Sequence, residues 1–391
     1  MPHRPLRAGN RRRGGEGPRP RPLVPSLLPP FWSRVIVKVI DRPTAATSRS
    51  SSNVALVKYW GKLDEVRRVP ATGSLSVTLG GLTTETTVAF SERDADDLVV
   101  LDGRPATGRE AARVTAFLDR VRALARAHGR ALGAASVRTV NYFPTAAGLA
   151  SSASGFAALA AASVRAAGLE ASHDELAALA RLGSASAARS IHGGFVELVP
   201  YRDEAGQWEA RTAQVASEKH WDLRVLVVVV DAAYKPIGST PAMARTAATS
   251  PYYAAWLETW GKDLAECRTA VEHRDIELLA SIAEHSALKL HSLCMTSRPP
   301  VQFLRGPSVD LMHAVWALRS SGTACGFTAD AGPNVKVFCE AADEETVKAA
   351  LLSVHGVQAV RSSVVGGPIT VVDHQVDPEV PWGRPVGGSA P

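Results

Sequence analysis

Apolar and polar residues follow two different periods along the first half of the chain. Between residues 110 and 128, apolar side chains recur every three or four positions, which places them on one side of an α-helix. Residues 75–79 and 85–90 instead alternate apolar with polar positions. That alternation is typical of half-buried strands, so the two successive runs predict an antiparallel pair.

The same criteria predict the remaining elements. In the first half they predict strands at residues 35–40, 53–58, 137–142 and 194–200, helices at residues 153–167 and 172–181, and a short helix within residues 183–190. In the second half they predict strands at residues 223–230, 323–329, 334–339 and 369–372, and helices at residues 239–248, 251–273, 276–295, 308–320 and 344–352. A capping box at Ser172 marks one helix start. We therefore predict an α+β fold, with a β-α-β-β-α-β-like second half whose helices cover one face of a mostly antiparallel sheet.

Composition divides the chain into a body and two ends. It changes near residue 220, which predicts one domain over residues 31–220 and a second over residues 221–375. Residues 1–30 are rich in Arg, Pro and Gly and have almost no periodic apolar pattern, so we predict a disordered tail there. Residues 376–391 are predicted to be a loose tail.

The charge and the cysteines exclude several classes of protein. Residues 1–22 contain seven arginines and one acidic residue, a surplus equal to the whole net charge of +6, so the body has no basic excess for nucleic acid. An RNA-binding or scaffold role would depend on the tail, and deletion of residues 1–30 would abolish it while sparing an enzyme. No apolar run reaches the roughly 20 residues of a membrane span. Four scattered cysteines argue against zinc and disulfides and favour the cytoplasm.

Residues 141–154 contain the strongest candidate chemistry. This stretch passes from a predicted strand through Gly148 to Ser151 and Ser152, at the start of an alanine-rich helix. A helix N-terminus presents unpaired N–H groups and a positive dipole end, so we interpret the stretch as a phosphate cradle. An ordinary serine N-cap is the alternative. Neither Gly-Lys pair of the chain is followed by Ser or Thr, which excludes a Walker loop.

Four segments resemble one enzyme family. The run PTAAGLASSA at residues 144–153 resembles the phosphate loop of the GHMP superfamily of small-molecule kinases. Residues 53–62 (NVALVKYWGK), 181–195 (RLGSASAARSIHGGF) and 327–334 (FTADAGPN) resemble signature segments of mevalonate diphosphate decarboxylases. The resemblance extends over about residues 51–372. It implies a GHMP-kinase-like two-domain fold, with an N-terminal mixed α/β domain, a C-terminal ferredoxin-like antiparallel sheet with helices, and the active site in the cleft between them.

The resemblance also implies an activity. Members of that family phosphorylate the 3-hydroxyl of mevalonate 5-diphosphate with ATP and Mg²⁺, then release phosphate and carbon dioxide to give isopentenyl diphosphate of the mevalonate pathway. It further implies a homodimer whose partners are this small molecule and ATP. Together with the cysteines, the charge and the apolar runs, this predicts a cytoplasmic protein without nucleic-acid or membrane partners. A phosphomevalonate decarboxylase, or a mevalonate 3-kinase that stops after phosphorylation, is the alternative.

Asp330, Arg189 and Lys58 are the candidate catalytic residues. A tertiary alcohol needs a carboxylate to take its proton during phosphoryl transfer, and Asp330 lies in a Gly/Pro-rich turn between predicted strands. Apart from the resemblance, a turn-forming aspartate is the alternative. The resemblance makes Arg189 the arginine that orients the substrate carboxylate, a task suited to a guanidinium. Lys58 is expected to stabilise the reacting phosphate or to tune Asp330.

The resemblance finally implies the binding residues. The expected substrate-binding residues are Tyr59, Lys62, Ser184, Ser186, Arg189 and Ser239. Of these, Tyr59 and Lys62 are expected to bind the diphosphate. The expected nucleotide-binding residues are Gly148, Leu149, Ala150, Ser151, Ser152 and Ala153, with Ser152 as the Mg²⁺ ligand. Residues 238–243, Ala185 and His192 depart from the family pattern, and we interpret His192 and His291 as structural.

Overall fold

The computed structural model describes residues 38–40, 45–92, 94–143, 151–231 and 237–374. Both predicted tails, residues 35–37 of the first predicted strand and residues 144–150 of the predicted cradle lie outside these ranges. In the described residues, the strands are β1 (Lys38–Val39), β2 (Ala45–Val57), β3 (Lys62–Asp64), β4 (Val69–Pro70), β5 (Ser74–Ser91), β6 (Leu98–Leu101), β7 (Arg104–Pro105), β8 (Ala134–Asn141), β9 (Leu169–Glu170), β10 (Phe195–Arg202), β11 (Trp208–Ala216), β12 (Leu223–Val229), β13 (Cys325–Ala329), β14 (Val335–Glu340), β15 (Ala359–Val364) and β16 (Thr370–His374). The α-helices are α1 (Gly108–Ala127), α2 (Ser151–Ala166), α3 (His173–Gly183), α4 (Ser239–Thr249), α5 (Tyr253–His273), α6 (Ile276–Met295), α7 (Gly306–Ser320) and α8 (Glu344–Leu352), and 3-10 helices span Ala185–Ser190 and Ala341–Asp343.

The first sheet has eight strands and is centred on β5, which is 18 residues long. β5 pairs antiparallel with β2 over most of its length, while its two halves pair with β10 and β8. The predicted pair of strands at residues 75–79 and 85–90 is therefore wrong, because both runs belong to this one strand. The β2–β5 register jumps between Ser51 and Ser52, which leaves residues 80–82 as an irregularity. That break made one strand resemble two.

Helices α1, α2 and α3 pack against the first sheet and form the apolar core of the first half with it. Twelve of the 16 residues of α2 are buried, as expected for an alanine-rich helix that is apolar around most of its circumference. It packs against β2 and β5, and Leu159 of α2 clusters with Leu118 of α1 and Leu179 of α3. The predicted capping box at Ser172 is confirmed, with Glu175 as its second member.

The second sheet has four antiparallel strands in the order β13-β14-β12-β15. With α8 between β14 and β15, the chain order gives the predicted ferredoxin-like arrangement. The prediction that helices cover one face is wrong, because α7 and α8 cover one face while α5 and α6 cover the other. Strand β12 explains the difference. Its Val225 and Val227 join the cluster with α5 and α6, and its Leu226 and Val228 join the opposite cluster, so the strand is apolar on both faces.

The apolar cluster that contains α5 and α6 also joins the two sheets. Val54 of β2 and Leu75 of β5 pack in the same cluster as Val225 of β12 and helices α5 and α6. The strand predicted at residues 369–372 exists as β16, but it pairs with β2 in the first sheet instead of closing the second. No helix in the described ranges is long and apolar enough to cross a membrane. With this shared core, the ends of β2 and β13 meet, and the candidate site lies there.

Candidate active site

Lys58 and Asp330 form an ion pair where β2 and β13 end. The Nζ atom of Lys58 lies 2.5 Å from Oδ1 of Asp330 and donates a second hydrogen bond, 2.7 Å long, to the Ala55 carbonyl. The Thr328 hydroxyl of β13 donates to the same carbonyl at 3.1 Å. The side chain of Lys58 is 2% exposed, whereas that of Asp330 is 30% exposed. Both strands therefore fix the pair, and the carboxylate is its accessible member.

A second lysine contacts the other oxygen of Asp330. The Nζ atom of Lys336 lies 3.2 Å from Oδ2 of Asp330 and 3.2 Å from the Asn334 carbonyl oxygen. Lys336 is buried in β14 between Val335 and Val337. Our sequence predictions missed it, although a charged residue inside an otherwise apolar strand was a signal that could have identified it.

Burial and these two cations determine the protonation of the cluster. Burial by itself raises the pKa of Asp330, but the charges of Lys58 and Lys336 outweigh it and hold that pKa well below its usual range. Burial lowers the pKa of Lys58 to about 8, with Lys336 acting in the same direction and Asp330 opposing it. His291 on α6 faces the same cluster, and burial lowers its pKa to about 4. At neutral pH the aspartate is ionised, the histidine is neutral, and Lys58 is close to its titration range.

Arg189 reaches the same site from the 3-10 helix that follows α3. Its terminal nitrogens donate hydrogen bonds to the Ser74 hydroxyl at 2.6 Å and to Oδ1 of Asn53 at 3.1 Å. The side chain is buried, and its Nε has no hydrogen-bond partner in the described part of the chain. Burial lowers the pKa of Arg189, while Tyr59 and Asp330 act in the opposite direction. The charges of Arg189 and Asp330 thus lie close enough to interact within one site.

Asn53 connects that arginine to the loop with two of the predicted substrate serines. Its Nδ2 donates to the Ser186 carbonyl at 3.0 Å and to the Ser190 hydroxyl at 2.7 Å. The hydroxyl oxygens of Ser184 and Ser186 lie 3.2 Å apart. In the sequence, Asn53 was only the first residue of a signature segment, and its contacts identify it as the side chain that orients Arg189.

The remaining predicted substrate residues lie near the start of α4 and beside Arg189. The guanidinium carbon of Arg189 lies 5.7 Å from the centroid of the Tyr59 ring. Lys62 at the start of β3 donates to Glu65 at 2.6 Å and to the Thr240 hydroxyl at 3.4 Å. Thr240 follows Ser239, the first residue of α4. The structure therefore brings Tyr59 to Arg189 and Lys62 to the segment that carries Ser239.

Three further arginines lie near this region and were not predicted from the sequence. Arg68 interacts electrostatically with Tyr59, and its charge adds to burial in lowering the pKa of Arg113 and Arg120 on α1. Arg113 and Arg120 donate hydrogen bonds to the carbonyls of the last two residues of α3, directly before Ser184. Among the described residues, none of the three arginines has a carboxylate partner within 4.0 Å. They form a cationic cluster near the substrate loop.

The predicted nucleotide segment is only partly described. Helix α2 begins at Ser151, with Ser151 half-buried, Ser152 exposed and Ala153 buried, while Gly148, Leu149 and Ala150 lie outside the described residues. The Ser154 hydroxyl lies 2.7 Å from that of Thr84 and joins the first turn of α2 to β5. Helix α2 also packs against the 3-10 helix that carries Arg189. Within the described ranges, no three His, Cys, Asp or Glu side chains are grouped as a metal site.

The two histidines interpreted as structural lie in different places. The Nε2 atom of His192 is 2.9 Å from the Thr212 hydroxyl oxygen, and its ring packs edge-on against His173. Burial lowers the pKa of His192, so the ring is neutral at neutral pH. His291 packs edge-on against Phe303, and its Nε2 has no hydrogen-bond partner among the described residues.

Comparisons with known proteins agree with this architecture. A model of the diphosphomevalonate decarboxylase-like N-terminal domain matches residues 50–209, and one of the mevalonate 5-diphosphate decarboxylase C-terminal domain matches residues 225–377. The diphosphomevalonate decarboxylase of Homo sapiens is 37% identical over 315 residues, which cover 76% of this chain and 78% of that protein. The enzyme of Aspergillus fumigatus is 36% identical over 328 residues, which cover 80% of each chain.

Solved structures match the fold as well. The mevalonate diphosphate decarboxylase from Enterococcus faecalis has a TM-score of 0.77 and 35% identity, over 85% of this chain and 99% of that chain. A structure of MDDEF in complex with MVAPP, AMPPCP and magnesium has a TM-score of 0.78 and 35% identity, with the same coverage. The predicted GHMP-kinase-like two-domain fold is confirmed by these matches. This chain belongs to the diphosphomevalonate decarboxylase family.

Proposed function

We propose that this protein catalyses the ATP-dependent decarboxylation of mevalonate 5-diphosphate to isopentenyl diphosphate, with ADP, phosphate and carbon dioxide as the other products. This reaction is a step of the mevalonate pathway of isoprenoid biosynthesis. Membership of the family supports it, since the relatives carry this activity in their names. The observation that carries it in this chain is that Asp330 and Arg189, a base and a carboxylate-binding group, reach one site. Lys58 pairs with Asp330 at 2.5 Å, and the ring of the adjacent Tyr59 lies 5.7 Å from the guanidinium carbon of Arg189.

Asp330 is the proposed base of the first step. The 3-hydroxyl is a tertiary alcohol and becomes a good nucleophile only as its proton leaves. The proton passes to the Asp330 carboxylate while the oxygen forms a bond to the γ-phosphorus of ATP, and ADP leaves with the electrons of the broken P–O bond. Lys58, 2.5 Å from the carboxylate, holds the base and places positive charge beside the transferring phosphoryl group.

Arg189 is proposed to orient the substrate carboxylate for the second step. The C3–O bond breaks, with its electrons going to the departing phosphate. The electrons of the bond between C2 and the carboxyl carbon form the new double bond as carbon dioxide leaves. Ser74 and Asn53 hold the terminal nitrogens of Arg189, and its Nε still has a hydrogen to donate. That donor and the positive charge suit a carboxylate without enclosing it.

Tyr59, Lys62, Ser184, Ser186 and Ser239 are proposed to bind the rest of the substrate, with Tyr59 and Lys62 at the diphosphate. What supports this is the proximity of Tyr59 to Arg189 and of Lys62 to the start of α4. The cluster of Arg68, Arg113 and Arg120, which has no carboxylate within 4.0 Å among the described residues, supplies positive charge that suits a diphosphate.

ATP and Mg²⁺ are the proposed co-substrate and metal, with the phosphates at Gly148, Leu149, Ala150, Ser151, Ser152 and Ala153. The start of α2 suits phosphate because a helix N-terminus offers free N–H groups and a positive dipole end. Mg²⁺ prefers oxygen ligands and completes its coordination with phosphate and water, so the exposed Ser152 hydroxyl fits it as a ligand. When bound, the ion neutralises charge on the phosphates of ATP.

The test is to supply mevalonate 5-diphosphate and ATP and to measure ADP and carbon dioxide in the same sample. The proposal predicts equal yields of the two products. ADP without carbon dioxide would indicate a 3-kinase. Faster turnover of mevalonate 5-phosphate than of the diphosphate would instead indicate a phosphomevalonate decarboxylase.

We also propose a cytoplasmic homodimer. The four cysteines are buried and unpaired, as expected in a reducing compartment, and dimers are implied by the family resemblance. Light scattering on the purified protein tests the dimer.

The proposed division into residues 31–220 and 221–375 is supported by the two family models, whose matched ranges leave this boundary between them. The tails at residues 1–30 and 376–391 remain predictions, since they lie outside the described residues.

A further inference from the structure

Lys336 is a charged residue at a position where a strand of this sheet would ordinarily have an apolar one. Its neighbours Val335 and Val337 pack on the face of the second sheet that α7 and α8 cover. Successive side chains of a strand point to opposite faces, so Lys336 points with Phe338 to the face that the two sheets share. There it is 3% exposed.

A buried ammonium group is costly unless a negative charge balances it. Among the described residues, Asp330 is the carboxylate within 4.0 Å of Lys336, and Lys58 already pairs with that same carboxylate. Two lysines therefore share one aspartate, which leaves one unit of positive charge in excess. A methionine or leucine at position 336 would avoid that cost. A position that breaks a folding rule in this way is expected where function requires it.

The two lysines contact different oxygens of the carboxylate. Lys58 contacts Oδ1 at 2.5 Å, and Lys336 contacts Oδ2 at 3.2 Å. The terminal torsion of an aspartate has a broad energy profile, so a carboxylate with one partner rotates easily. Separate partners on the two oxygens fix its plane. Because the Asn334 carbonyl accepts a hydrogen bond from Lys336, the second lysine is itself held in place.

On the basis of the proposed function, we propose that Lys336 is a positioning residue for phosphoryl transfer. Its ammonium holds Oδ2 of Asp330, so that Oδ1 and Lys58 form the pair that handles the proton of the alcohol. The alcohol proton moves to Oδ1 as the new O–P bond forms, and ADP takes the electrons of the bond that breaks. Lys336 contacts neither the proton nor the phosphoryl group and acts through Asp330 and Lys58.

The charge of Lys336 also affects the titration of this pair. It acts in the same direction as burial in lowering the pKa of Lys58. The other titratable groups that face the cluster are His291 from α6, Arg189 from the 3-10 helix and Tyr59 after β2. Burial makes the histidine neutral near neutral pH and raises the pKa of the tyrosine, while Arg189 stays charged. Lys58 is thus the group of this cluster that titrates near pH 8.

The test is the pH dependence of kcat/KM in Lys336→Met, measured by release of ADP and carbon dioxide between pH 6.5 and 10. Loss of the Lys336 charge is expected to raise the pH at which kcat/KM falls by about half a pH unit or more. The reason is that removal of a neighbouring cation raises the pKa of Lys58. We expect kcat to fall roughly tenfold to a hundredfold, with KM for mevalonate 5-diphosphate within about threefold of wild type. Lys336→Arg keeps the charge, so its kcat/KM should fall at the same alkaline pH as that of wild type.

Lys289→Met is the matched control, because it also removes a lysine that pairs with a buried aspartate, Asp263, at 2.5 Å. Lys289→Met should not change the pH at which kcat/KM falls, even if it lowers thermal stability. If Lys336→Met does not fold, the same pH dependence of kcat/KM is measured in Lys336→Gln, which retains a hydrogen-bonding group but carries no charge.

The role of Lys336 would be overturned if wild-type enzyme produces carbon dioxide and a charge-removing variant has the same kcat and the same alkaline fall of kcat/KM as wild type. Wild-type enzyme that does not turn over mevalonate 5-diphosphate would overturn the proposed function instead. The two failures are therefore distinguishable.

Discussion

Lys58 and Asp330 are 272 positions apart in the sequence, yet their side chains meet at 2.5 Å. Each residue directly follows a strand, and the two strands belong to different sheets. The site therefore depends on the core that the two sheets share. It combines a lysine held by β2 with an aspartate whose carboxylate remains accessible.

Activity is expected to fall as the pH rises through about 8, where the Lys58 ammonium loses its proton. Below that pKa the charged lysine holds Asp330, and above it the carboxylate loses its nearest cation. The measurement is kcat/KM against pH, which reports ionisations of the free enzyme. The arginine of Lys58→Arg stays protonated, so kcat/KM of this variant should not fall near pH 8 even if its rate is lower. A wild-type profile that is flat to pH 10 would contradict the assignment.

Arg189→Gln is expected to slow the overall reaction at least about a hundredfold, because the glutamine is neutral and cannot hold a carboxylate by charge. The decisive readout is carbon dioxide release compared with the affinity for inorganic diphosphate. A variant with normal turnover and weakened diphosphate affinity alone would place Arg189 at the wrong end of the substrate.

Arg68→Gln should weaken binding of mevalonate 5-diphosphate by roughly threefold to thirtyfold, in line with loss of one partly solvated charged contact. Arg68 has no carboxylate partner within 4.0 Å among the described residues, so its charge is available to a ligand. The loss should be smaller for mevalonate 5-phosphate, which carries less charge. Arg49→Gln, which removes an arginine paired with Glu85, is the control. Equal losses for the two substrates would exclude a role at the terminal phosphate.

Gly193→Ala is expected to destabilise the protein and to disturb the turn that follows the 3-10 helix with Arg189. Gly193 has a φ of +72°, and an added Cβ would lie 2.2 Å from the carbonyl carbon of Gly367. Gly103 has a φ of +79° with open space around it, so Gly103→Ala measures the backbone cost alone, about 1–2 kcal/mol. Thermal unfolding of both variants tests this. An equal fall in Tm would show that the loop yields without cost.

Local sequence patterns predicted some elements fully. Helices α6 and α8 have the predicted bounds, because their apolar periodicity agrees with local end signals such as the Asp275 side chain, which accepts a hydrogen bond from the Leu278 N–H. Strands β3, β4, β6, β7, β9, β11 and β15 were missed. β15 is half exposed at the edge of its sheet, and its pattern is weak without the partner strand.

From the sequence, site residues could be predicted only where they belong to a recognisable family motif. Asp330 and Arg189 came from a family resemblance, and their proximity is a property of the folded chain. Lys336 stood out only as a charge inside an apolar strand, and Asn53 only as the first residue of a signature segment. Their roles depend on partners distant in sequence, Asp330 and Arg189 respectively. The second face of β12 was likewise hidden, since a continuous apolar run does not show what covers each side.

Asp330→Asn tests the central claim most directly, with Asp263→Asn as a control for loss of another lysine-paired aspartate. The measurement compares the Kd for mevalonate 5-diphosphate, by calorimetry, with the rate of carbon dioxide release. Because asparagine keeps the shape of the side chain but cannot take the proton, we expect a Kd within about threefold of wild type and a turnover lower by roughly three orders of magnitude. Turnover close to that of wild type would contradict the role of Asp330 as the base.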